Sequence, residues 1–430
     1  MMKSNLFLEL FYFCLKSIKV MFVNSVITLI IISVILEIYL YFNFKKFYHN
    51  KYFLFGNMLI WLLVLTNFGY HLIFFDRNVG QTQATMWGTG LFMLFGFPRL
   101  ILIIFFLIQD VIRGLGWLFN RMSNHQPKAD SYLPSRRKFV MNTGLTVASI
   151  PFFSLIYGMT LGKYNFKVIK KKLVYERLPK SFDGFKILHI TDIHSGSLDN
   201  REKIKQAVDL INQQEFDILL FTGDIVNNFY WEMDKWYDIF SKIKQGKYGN
   251  FAVLGNHDYG EYSDWKSEEE KQENFEKIKR IFPKIGMQLL LNENRLITKN
   301  NEKISLIGVQ NWGTRFKKLG DIDVASRNVS ADDFKIVLSH DPSHWNEILK
   351  HHPKHFDLTL SGHTHGMQLG IEVPKIGLRW SPSQYVYPQW AGFYDFEGKI
   401  INVNRGFGYH FYPGRVGVWP EITVIELKSI

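Results

Sequence analysis

The sequence contains very little cysteine: Cys14 is the single thiol in 430 residues. An intrachain disulfide is therefore excluded, and thiol chemistry is not expected because Cys14 lies in an apolar stretch. Internal repeats are also lacking. Residues 163–430 lack a strong basic patch, since they hold 37 Lys and Arg against 34 Asp and Glu. DNA and RNA are therefore not expected among the partners.

The N-terminal third contains few charged residues and several long apolar runs. Residues 1–162 hold 14 Lys and Arg against 5 Asp and Glu, so most of the net charge of +12 belongs to this part. Basic loops beside apolar helices are typical of a membrane protein that obeys the positive-inside rule. A chain of this length predicts two or three units. We place the boundary between a transmembrane region, 1–162, and a globular domain, 163–430.

Four runs are long enough to cross a hydrocarbon core of about 30 Å, which takes roughly 20 apolar residues. The third run contains Pro98 and Arg99. Two interpretations of Arg99 stay open: a paired or interface-reaching arginine, or one that binds a lipid phosphate. The segment 5–19 is apolar but carries three charges, which favours a helix at the membrane interface. The four predicted spans are 20–44, 52–75, about 89–109 and 139–162.

Arg136 and Arg137 stand in a basic cluster just before the fourth run. The cluster resembles the twin-arginine export signal, although it is internal here; the alternative is a cytoplasmic charge anchor. Both interpretations place the cluster in the cytoplasm and predict that the chain after residue 162 lies on the extracytoplasmic side of the cell membrane. Four spans then place the N-terminus outside as well, against the basic residues near its start.

Beyond residue 163, short apolar runs alternate with amphipathic stretches. This alternation predicts an α/β fold in which helices cover the sheets. The predicted helices are 201–214, 231–244 and 264–282. The predicted strands are 185–191, 217–222, 251–254, 303–309, 334–339 and 357–361, and the segment from about 392 to 427 is rich in strand-forming residues.

Polar side chains follow five of these strands at the points where the strands end. Each motif alone is a weak signal, but five in succession are hard to attribute to chance. Ligand sites in open α/β sheets assemble at the carboxyl ends of the strands, so we expect these side chains to lie together. They are Asp192 and His194, Asp224, Asn256 with His257 and Asp258, His340, and His363 with His365.

Carboxylate, imidazole and amide oxygen donors together suit Mn²⁺, Fe²⁺ or Zn²⁺. A carboxylate can bridge two cations about 3.5–4 Å apart, and such a pair lowers the pKa of a shared water and neutralises phosphate oxygens. Glycines beside the candidate ligands let the backbone turn sharply and approach the metals; they are Gly223, Gly255, Gly362 and Gly366. The predicted cofactor is therefore two divalent metal ions, with Mn²⁺ favoured.

The blocks D-x-H, G-D, G-N-H-D, a lone His and G-H-x-H occur here in that order. With them, residues 165–430 resemble the calcineurin-like metallophosphoesterase superfamily. The resemblance implies a four-layer α-β-β-α sandwich with two metal ions at the sheet ends, and it implies that His257 assists the leaving group without binding metal. It implies one ion held by Asp192, His194, Asp224 and His365, and a second held by Asp224, Asn256, His340 and His363.

The C-terminal block VNRGFGYHFYPGRVGVWPEITVIEL resembles the bacterial membrane-associated branch of this superfamily, several members of which are exported by the twin-arginine route. In that branch Arg405 would lie near the site and contact the substrate phosphate. The alternative is a structural loop arginine. His410 and Arg415 are weaker candidates for substrate contact.

These observations predict a membrane-anchored, divalent-metal-dependent phosphohydrolase that cleaves phosphodiester, pyrophosphate or phosphomonoester bonds by attack of a metal-bridging hydroxide. The expected substrate is a phosphorylated small molecule or a lipid or envelope precursor, and membrane lipids are expected partners. The aromatic segment 380–393 either meets the membrane or packs in the core. Two alternatives are a membrane sensor or scaffold with a non-catalytic phosphoesterase domain, which the complete ligand set disfavours, and a transporter, for which Glu37 and Arg99 provide few charges within the spans.

Overall fold

The computed structural model describes residues 24, 26–122, 134–373 and 376–430, with residues 134–137 described in their backbone alone. The chain divides into two compact units, Met1–Phe75 with Trp87–Ile156, and Asp76–Met86 with Tyr157–Ile430. The predicted interfacial helix at 5–19 and Cys14 lie outside the described residues. The domain boundary after residue 162 stays a prediction.

Four helices in the described part of the chain are long and apolar enough to cross a membrane, which confirms the predicted number. The third helix has 40 residues and continues through Pro98, far beyond the predicted span 89–109. It continues because the charges after residue 109 have partners along the helices: Asp110 accepts from Tyr39 Oη at 2.8 Å and pairs with Arg113 at 3.3 Å. The helices are α1 (Val26–Lys45), α2 (Lys51–Ile73), α3 (Gln83–Met122) and α4 (Pro134–Thr160).

Arg99 is buried inside the helical unit. Its Nε donates to Glu37 at 3.0 Å, and its Nη2 donates to the main-chain and side-chain oxygens of Asn57, each at 3.0 Å. Its Nη1 donates to the carbonyl of Phe95, and the guanidinium lies 4.8 Å from the ring of Trp61. These contacts support the interpretation of Arg99 as a paired arginine.

The second unit contains two six-stranded mixed sheets and a separate two-stranded hairpin. The strands are β1 (Lys167–Tyr175), β2 (Lys186–Ile190), β3 (Ile218–Phe221), β4 (Asn250–Ala252), β5 (Gln288–Leu289), β6 (Glu293–Lys299), β7 (Glu302–Gly308), β8 (Phe334–Leu338), β9 (Leu358–Ser361), β10 (Ile371–Val373), β11 (Leu378–Trp380), β12 (Gly392–Phe396), β13 (Lys399–Val403) and β14 (Glu421–Ser429). The helices are α5 (Arg201–Asn212), α6 (Tyr237–Phe240), α7 (Glu268–Lys279), α8 (Ile281–Lys284), α9 (Ile322–Ala325) and α10 (Pro342–Glu347).

The order of strands in the first sheet is β1-β14-β2-β3-β4-β5, and in the second sheet it is β12-β13-β9-β8-β7-β6. Strands β2 to β5 run parallel to one another, as do β13, β9, β8 and β7. The last strand of the chain, β14, enters the first sheet parallel to β1 and antiparallel to β2. The carboxyl ends of the parallel strands within each sheet therefore lie along one edge.

Three apolar clusters define four layers. One cluster joins the facing sides of the two sheets and includes Ile187, Leu220, Leu306, Ile336 and Leu360. A second joins the outer side of the first sheet to α5, α7 and α8 and includes Leu188, Phe221, Ile204, Ile278 and Ile281. A third joins the outer side of the second sheet to α9 and α10 and includes Ile307, Val337, Ile322 and Trp345. The domain is therefore the predicted α-β-β-α sandwich.

The structure corrects two predicted helices and adds strands. The segment predicted as a helix at 231–244 is a short turn, Tyr230–Met233, followed by α6. The turn forms because the Glu232 carboxylate accepts the main-chain N–H groups of Asn227 and Phe229. The helix predicted at 264–282 begins at Glu268, where Ser267 caps it, and ends at Lys279. Strand β1 was not predicted, since four lysines hide its pattern; such charges are common on edge strands.

Candidate metal centre

The side chains predicted from the strand ends meet at one edge of the two sheets. They follow β2, β3 and β4 in the first sheet and β8 and β9 in the second. Two aspartates lie at the centre, Asp192 and Asp224, and their side chains are shielded from solvent. Burying two carboxylates costs several kcal/mol unless cations or donors compensate them. Three Asp/His groups in the described part of the chain could hold a metal ion, and together they include Asp192, His194, Asp224, His257, His340, His363 and His365.

One group of donor atoms surrounds Nε2 of His340. This nitrogen lies 3.1 Å from Asp224 Oδ2, 3.2 Å from Asn256 Oδ1 and 3.2 Å from His363 Nδ1. Donors that share one cation at about 2.0–2.2 Å lie about 3–3.5 Å from one another. Tyr262 keeps the Asn256 oxygen turned inward because its hydroxyl accepts from Asn256 Nδ2 at 2.7 Å. The spacing of these four donors therefore fits a single divalent cation.

A second group of donor atoms lies beside the first. His365 Nε2 is 3.3 Å from Asp192 Oδ1, and His194 Nε2 is 4.0 Å from the same oxygen. His194 Nε2 is also 3.6 Å from Asp224 Oδ2, the oxygen that belongs to the first group. His365 Nε2 has no hydrogen-bond partner although it is buried. One carboxylate oxygen thus lies between two sets of donors.

The backbone at the centre is strained. Five of the seven predicted ligands have a positive φ, a conformation that non-glycine residues rarely adopt and that costs of order 1–3 kcal/mol each. They are Asp192, His194, Asp224, His363 and His365. Two glycines permit the close approach: a Cβ on Gly255 would lie 2.2 Å from Asp224 Oδ1, and one on Gly362 would lie 2.2 Å from Asp192 Oδ2. Strain concentrated on these residues is typical of a functional site.

Neighbouring oxygens orient two of the histidines. Nδ1 of His340 donates to the carbonyl of Thr222 at 2.7 Å, since a carbonyl can only accept. Nδ1 of His194 lies 3.0 Å from the side-chain oxygen of Asn227. Each contact keeps a proton on Nδ1, so Nε2 is the nitrogen that faces the aspartates and would offer its lone pair to a cation. This arrangement is usual for histidines that bind metals.

The other two histidines have different neighbours. Nε2 of His363 lies 2.8 Å from the Tyr387 hydroxyl, so its Nδ1 is the nitrogen that faces the donor group. Arg415 is fully buried and donates to Nδ1 of His365 at 3.0 Å. Burial lowers the pKa of Arg415 to about 9, against the attraction of Asp192. The guanidinium fixes the plane of the His365 ring.

His257 stands at the side of the centre. Its main-chain N–H donates to Asp224 Oδ1 at 2.9 Å, and its Nδ1 donates to the carbonyl of Asn227 at 2.7 Å. Nε2 of His257 is therefore the nitrogen left to meet another group. Burial lowers the pKa of His257, and the carboxylate of Asp224 opposes this effect. His410 packs beside it, with the ring centroids 4.6 Å apart.

Charge at the centre is shared unevenly between the aspartates and histidines. Burial alone would lower the pKa of His340, but the attraction and hydrogen bond of Asp224 and the attraction of Asp192 outweigh it and raise the pKa to about 10. Burial would likewise raise the pKa of Asp224, yet neighbouring histidines hold it well below its ordinary value. This environment therefore favours the carboxylate form of Asp224.

Three residues around the centre have roles that the sequence did not predict. The carboxylate of Asp258 accepts main-chain N–H groups of Asp224, Ile225 and Gly255, each at 2.9 Å, and so ties the loop after β3 to the loop after β4. Its place in the G-N-H-D block was the available signal. Nothing in the sequence pattern singled out Tyr262 or Asn227, because their contacts with Asn256 and His194 form only in the folded chain.

Arg405 lies in the loop after β13, and its guanidinium is held by Glu372 at 2.8 Å and by Glu421. These contacts favour the alternative of a structural arginine, and contact with substrate stays a prediction. His410 stacks on His194 with ring centroids 4.8 Å apart, and its buried Nδ1 has no partner. Of the two weaker candidates, His410 faces the centre and Arg415 supports His365 from behind.

The aromatic segment 380–393 was predicted either to meet the membrane or to pack in the core, and its side chains differ in burial. Trp390 is buried against Val418, whereas Tyr385 is 76% exposed and Trp380 is partly exposed. Tyr387 contacts His363, as described above. The segment therefore contributes to the core, to the centre and to the surface.

Two family models match the chain. Residues 22–163 match a probable calcineurin-like phosphoesterase transmembrane domain, and residues 185–367 match calcineurin-like phosphoesterase. The uncharacterized metallophosphoesterase YkuE of Bacillus subtilis is 30% identical over 279 residues, 64% of this chain and 89% of that protein. Phosphodiesterase YaeI of Escherichia coli is 28% identical, and the match covers 68% of this chain and 99% of that protein. An uncharacterized metallophosphoesterase of Helicobacter pylori is 26% identical, and the match covers 93% of this chain and 98% of that protein.

Proposed function

This chain belongs to the calcineurin-like phosphoesterases, and we propose that it hydrolyses a phosphodiester, pyrophosphate or phosphomonoester bond of a lipid or envelope precursor. It is a multi-pass membrane protein and a metallophosphoesterase. The observation that carries the proposal is the single oxygen, Asp224 Oδ2, that lies within 3.1 Å of His340 Nε2 and 3.6 Å of His194 Nε2.

In this proposal two divalent cations, with Mn²⁺ favoured over Fe²⁺ or Zn²⁺, are held by seven side chains. Asp192, His194, Asp224 and His365 would hold one, and Asp224, Asn256, His340 and His363 would hold the other. When bound, the cations supply a water of lowered pKa and neutralise the oxygens of the phosphate. The donor spacings, the unpartnered Nε2 of His365 and the mixture of carboxylate, imidazole and amide donors support this assignment.

His257 assists the departing oxygen. The carbonyl of Asn227 holds its Nδ1–H, so a second proton on the ring would be carried by Nε2 at the side of the centre. Burial lowers the pKa of His257, which favours the neutral ring in the absence of substrate. The negative charge of an arriving phosphate favours the protonated form. His257 then donates this proton to the leaving oxygen as a general acid.

The substrate class follows from where the site is and what surrounds it. The chain is anchored by its own spans, so its substrates are those that reach a membrane surface. The related Escherichia coli protein is called a phosphodiesterase, which supports a phosphodiester as the bond cleaved. We therefore place phosphodiesters of lipid or envelope precursors first among the candidates.

The proposal is tested with the purified full-length protein, Mn²⁺ and a generic aryl phosphodiester. Asp192→Ala is expected to lower kcat by about 10³ or more, because one cation loses one of its two carboxylate ligands. His257→Ala is expected to lower kcat by about 10²–10⁴, the range of general acid catalysis. Metal content, measured by elemental analysis, should fall in Asp192→Ala and stay unchanged in His257→Ala.

The same experiment separates the enzyme from a membrane sensor or scaffold. Activity that survived Asp192→Ala would overturn the two-metal mechanism. A wild-type protein that binds Mn²⁺ but turns over no phosphodiester, pyrophosphate or phosphomonoester would favour the sensor. The complete set of ligands supports the enzyme.

The domain is proposed to lie on the extracytoplasmic side, with Arg136 and Arg137 in the cytoplasm. The loop between α2 and α3 supports this arrangement, since it packs in the same unit as the domain: Arg77 pairs with Asp264 at 3.3 Å, and Gln83 donates to Ser197 O at 2.8 Å. This loop carries few charges, as outer loops do. A C-terminal reporter active in the cytoplasm alone would refute the arrangement and favour a cytoplasmic lipid-precursor hydrolase.

A further inference from the structure

The hairpin β10–β11 carries an exposed apolar face. Ile371 pairs with Trp380 and Val373 pairs with Leu378, so these four side chains lie on one face of the antiparallel pair. All four are more than a third exposed, and Ile376 beside the turn is 73% exposed. A contiguous apolar surface of this kind marks an interaction site.

The opposite face of the hairpin fixes its orientation. Glu372 and Arg379 form the remaining pair and point toward the domain. Glu372 binds Arg405 at 2.8 Å, and the guanidinium of Arg379 lies 4.6 Å from the ring of the buried Trp390. The apolar face is therefore held outward by ion pairs and by stacking on its back.

The base of the hairpin lies at the end of the fourth membrane span. Gly370 donates to the carbonyl of Val416 at 2.9 Å. Val416 in turn packs against Gly158 in the last turn of α4, where a Cβ would lie 2.5 Å from its Cγ2, and Arg415 N donates to Gly158 O at 3.1 Å. The hairpin thus starts beside the last turn of α4.

Further exposed apolar side chains surround this base. Leu161 directly follows α4 and is 60% exposed, and Phe411 is equally exposed with a positive φ of 64°. Met367, two residues after His365, is also exposed. The main chain of Phe411 donates to Gln81 in the α2–α3 loop, which joins two other spans. Exposed apolar side chains therefore also occur beside the end of α4 and beside the α2–α3 loop.

We propose that the apolar face of the β10–β11 hairpin inserts into the interfacial layer of the bilayer that the chain's own spans cross. That layer is about 5–8 Å thick on each side of the hydrocarbon core, and a Trp at its edge is typical of interfacial anchors. Insertion holds the His365 side of the centre against lipid phosphates. This consequence rests on the proposed function, whereas insertion itself does not.

The test uses the full-length protein reconstituted in phosphatidylcholine nanodiscs, one chain per disc. Cys14 is replaced by Ser, and Ile376→Cys is labelled with the environment-sensitive fluorophore NBD. We expect blue-shifted emission and loss of fluorescence when the discs contain lipid carrying a doxyl quencher. Leu296→Cys is the matched control, since Leu296 is 55% exposed on the edge strand β6, and it should show neither effect.

The outcomes distinguish lipid from protein as the material that covers the apolar face. No quenching at Ile376→Cys beyond that of Leu296→Cys overturns the proposal. A blue shift without doxyl quenching also overturns it, because the label would then be buried against the protein and not in lipid. Quenching should persist in an Asp192→Ala background, so an inactive enzyme would contradict the proposed function without affecting this result. Ile376→Glu should then reduce turnover of a phospholipid diester and leave hydrolysis of the soluble aryl phosphodiester unchanged.

Discussion

Both units of the molecule bury charged side chains, and they compensate them differently. In the helical unit, N–H groups of Arg99 donate to oxygens of Glu37 and Asn57. Each of these contacts joins a donor to an acceptor. In the phosphoesterase domain, Asp192 and Asp224 face the ring nitrogens of several histidines, and the atoms converge on shared points.

This difference separates a structural polar cluster from a metal centre. The groups around Arg99 have complementary shapes and charges, so nothing further is required to stabilise them. Around Asp224, lone pairs of nitrogen and oxygen face one another at 3.1–3.6 Å, which is unfavourable without protons or cations between them. Burial of charge is common to both clusters, and the arrangement of donors and acceptors distinguishes them.

The largest expected effect comes from Asp224→Asn. The amide keeps the size of the side chain but removes the charge that both donor groups share. We expect kcat/KM toward an aryl phosphodiester to fall by about 10³ or more, equivalent to about 4 kcal/mol, together with loss of bound metal. Steady-state kinetics and elemental analysis measure the two quantities.

Asp217→Asn is the matched control for this substitution. Asp217 lies at the opposite end of the same strand, β3, and accepts the main-chain N–H of Lys186 at 2.8 Å. An amide oxygen can accept the same bond, so activity should be retained. An Asp224→Asn protein with normal metal content and activity would show that the converging donors are a structural cluster like that of Arg99.

A different effect, on stability and not on turnover, is expected from Arg99→Met. The substitution leaves the carboxylate of Glu37 without its charged partner inside the helical unit, which costs about 3–5 kcal/mol of stability. Thermal unfolding in detergent should shift to lower temperature, while kcat per folded molecule at low temperature stays unchanged. The double variant Glu37→Gln with Arg99→Met should recover part of the loss.

Arg113→Met provides the comparison for an exposed pair. Arg113 binds Asp110 at 3.3 Å with both side chains solvent-accessible, so its removal should cost at most about 1 kcal/mol. If Arg99→Met instead lowered turnover of a lipid substrate without loss of stability, Arg99 would be a lipid-phosphate contact, the other interpretation of the sequence.

The sequence predicted the centre better than it predicted the fold around it. The meeting of Asp192, Asp224 and His340 at one edge was predictable because strand ends leave a local signature of an apolar run followed by a polar residue, and their role as ligands stays a prediction. The place of β14 beside β2 was not predictable, since the pairing joins residues more than 200 positions apart. The apolar face of β10–β11 was also missed, because an exposed strand of three residues carries the same pattern as a buried one.

The smallest expected effect concerns Glu232, a carboxylate in the domain that is compensated in a third way, by main-chain donors. It accepts N–H groups of Asn227 at 2.5 Å and of Phe229 at 3.2 Å. Burial raises its pKa to about 7, although these donors oppose the shift. The folded chain therefore keeps a proton that the unfolded chain releases near pH 4.5, and stability falls as pH rises from about 4.5 to about 7.

Replacing Glu232 by Gln should remove this part of the pH dependence, about 1–2 kcal/mol between pH 5 and pH 7.5 after allowance for partial solvation. For each protein, the thermal midpoint at pH 5 is compared with that at pH 7.5, and the change is compared between wild type and variant. Glu202→Gln, on the exposed first turn of α5, is the control. Equal pH dependence in all three proteins would mean that the main-chain donors outweigh burial. The Glu232 carboxylate would then be ionised throughout and fully compensated, as in the cluster around Arg99.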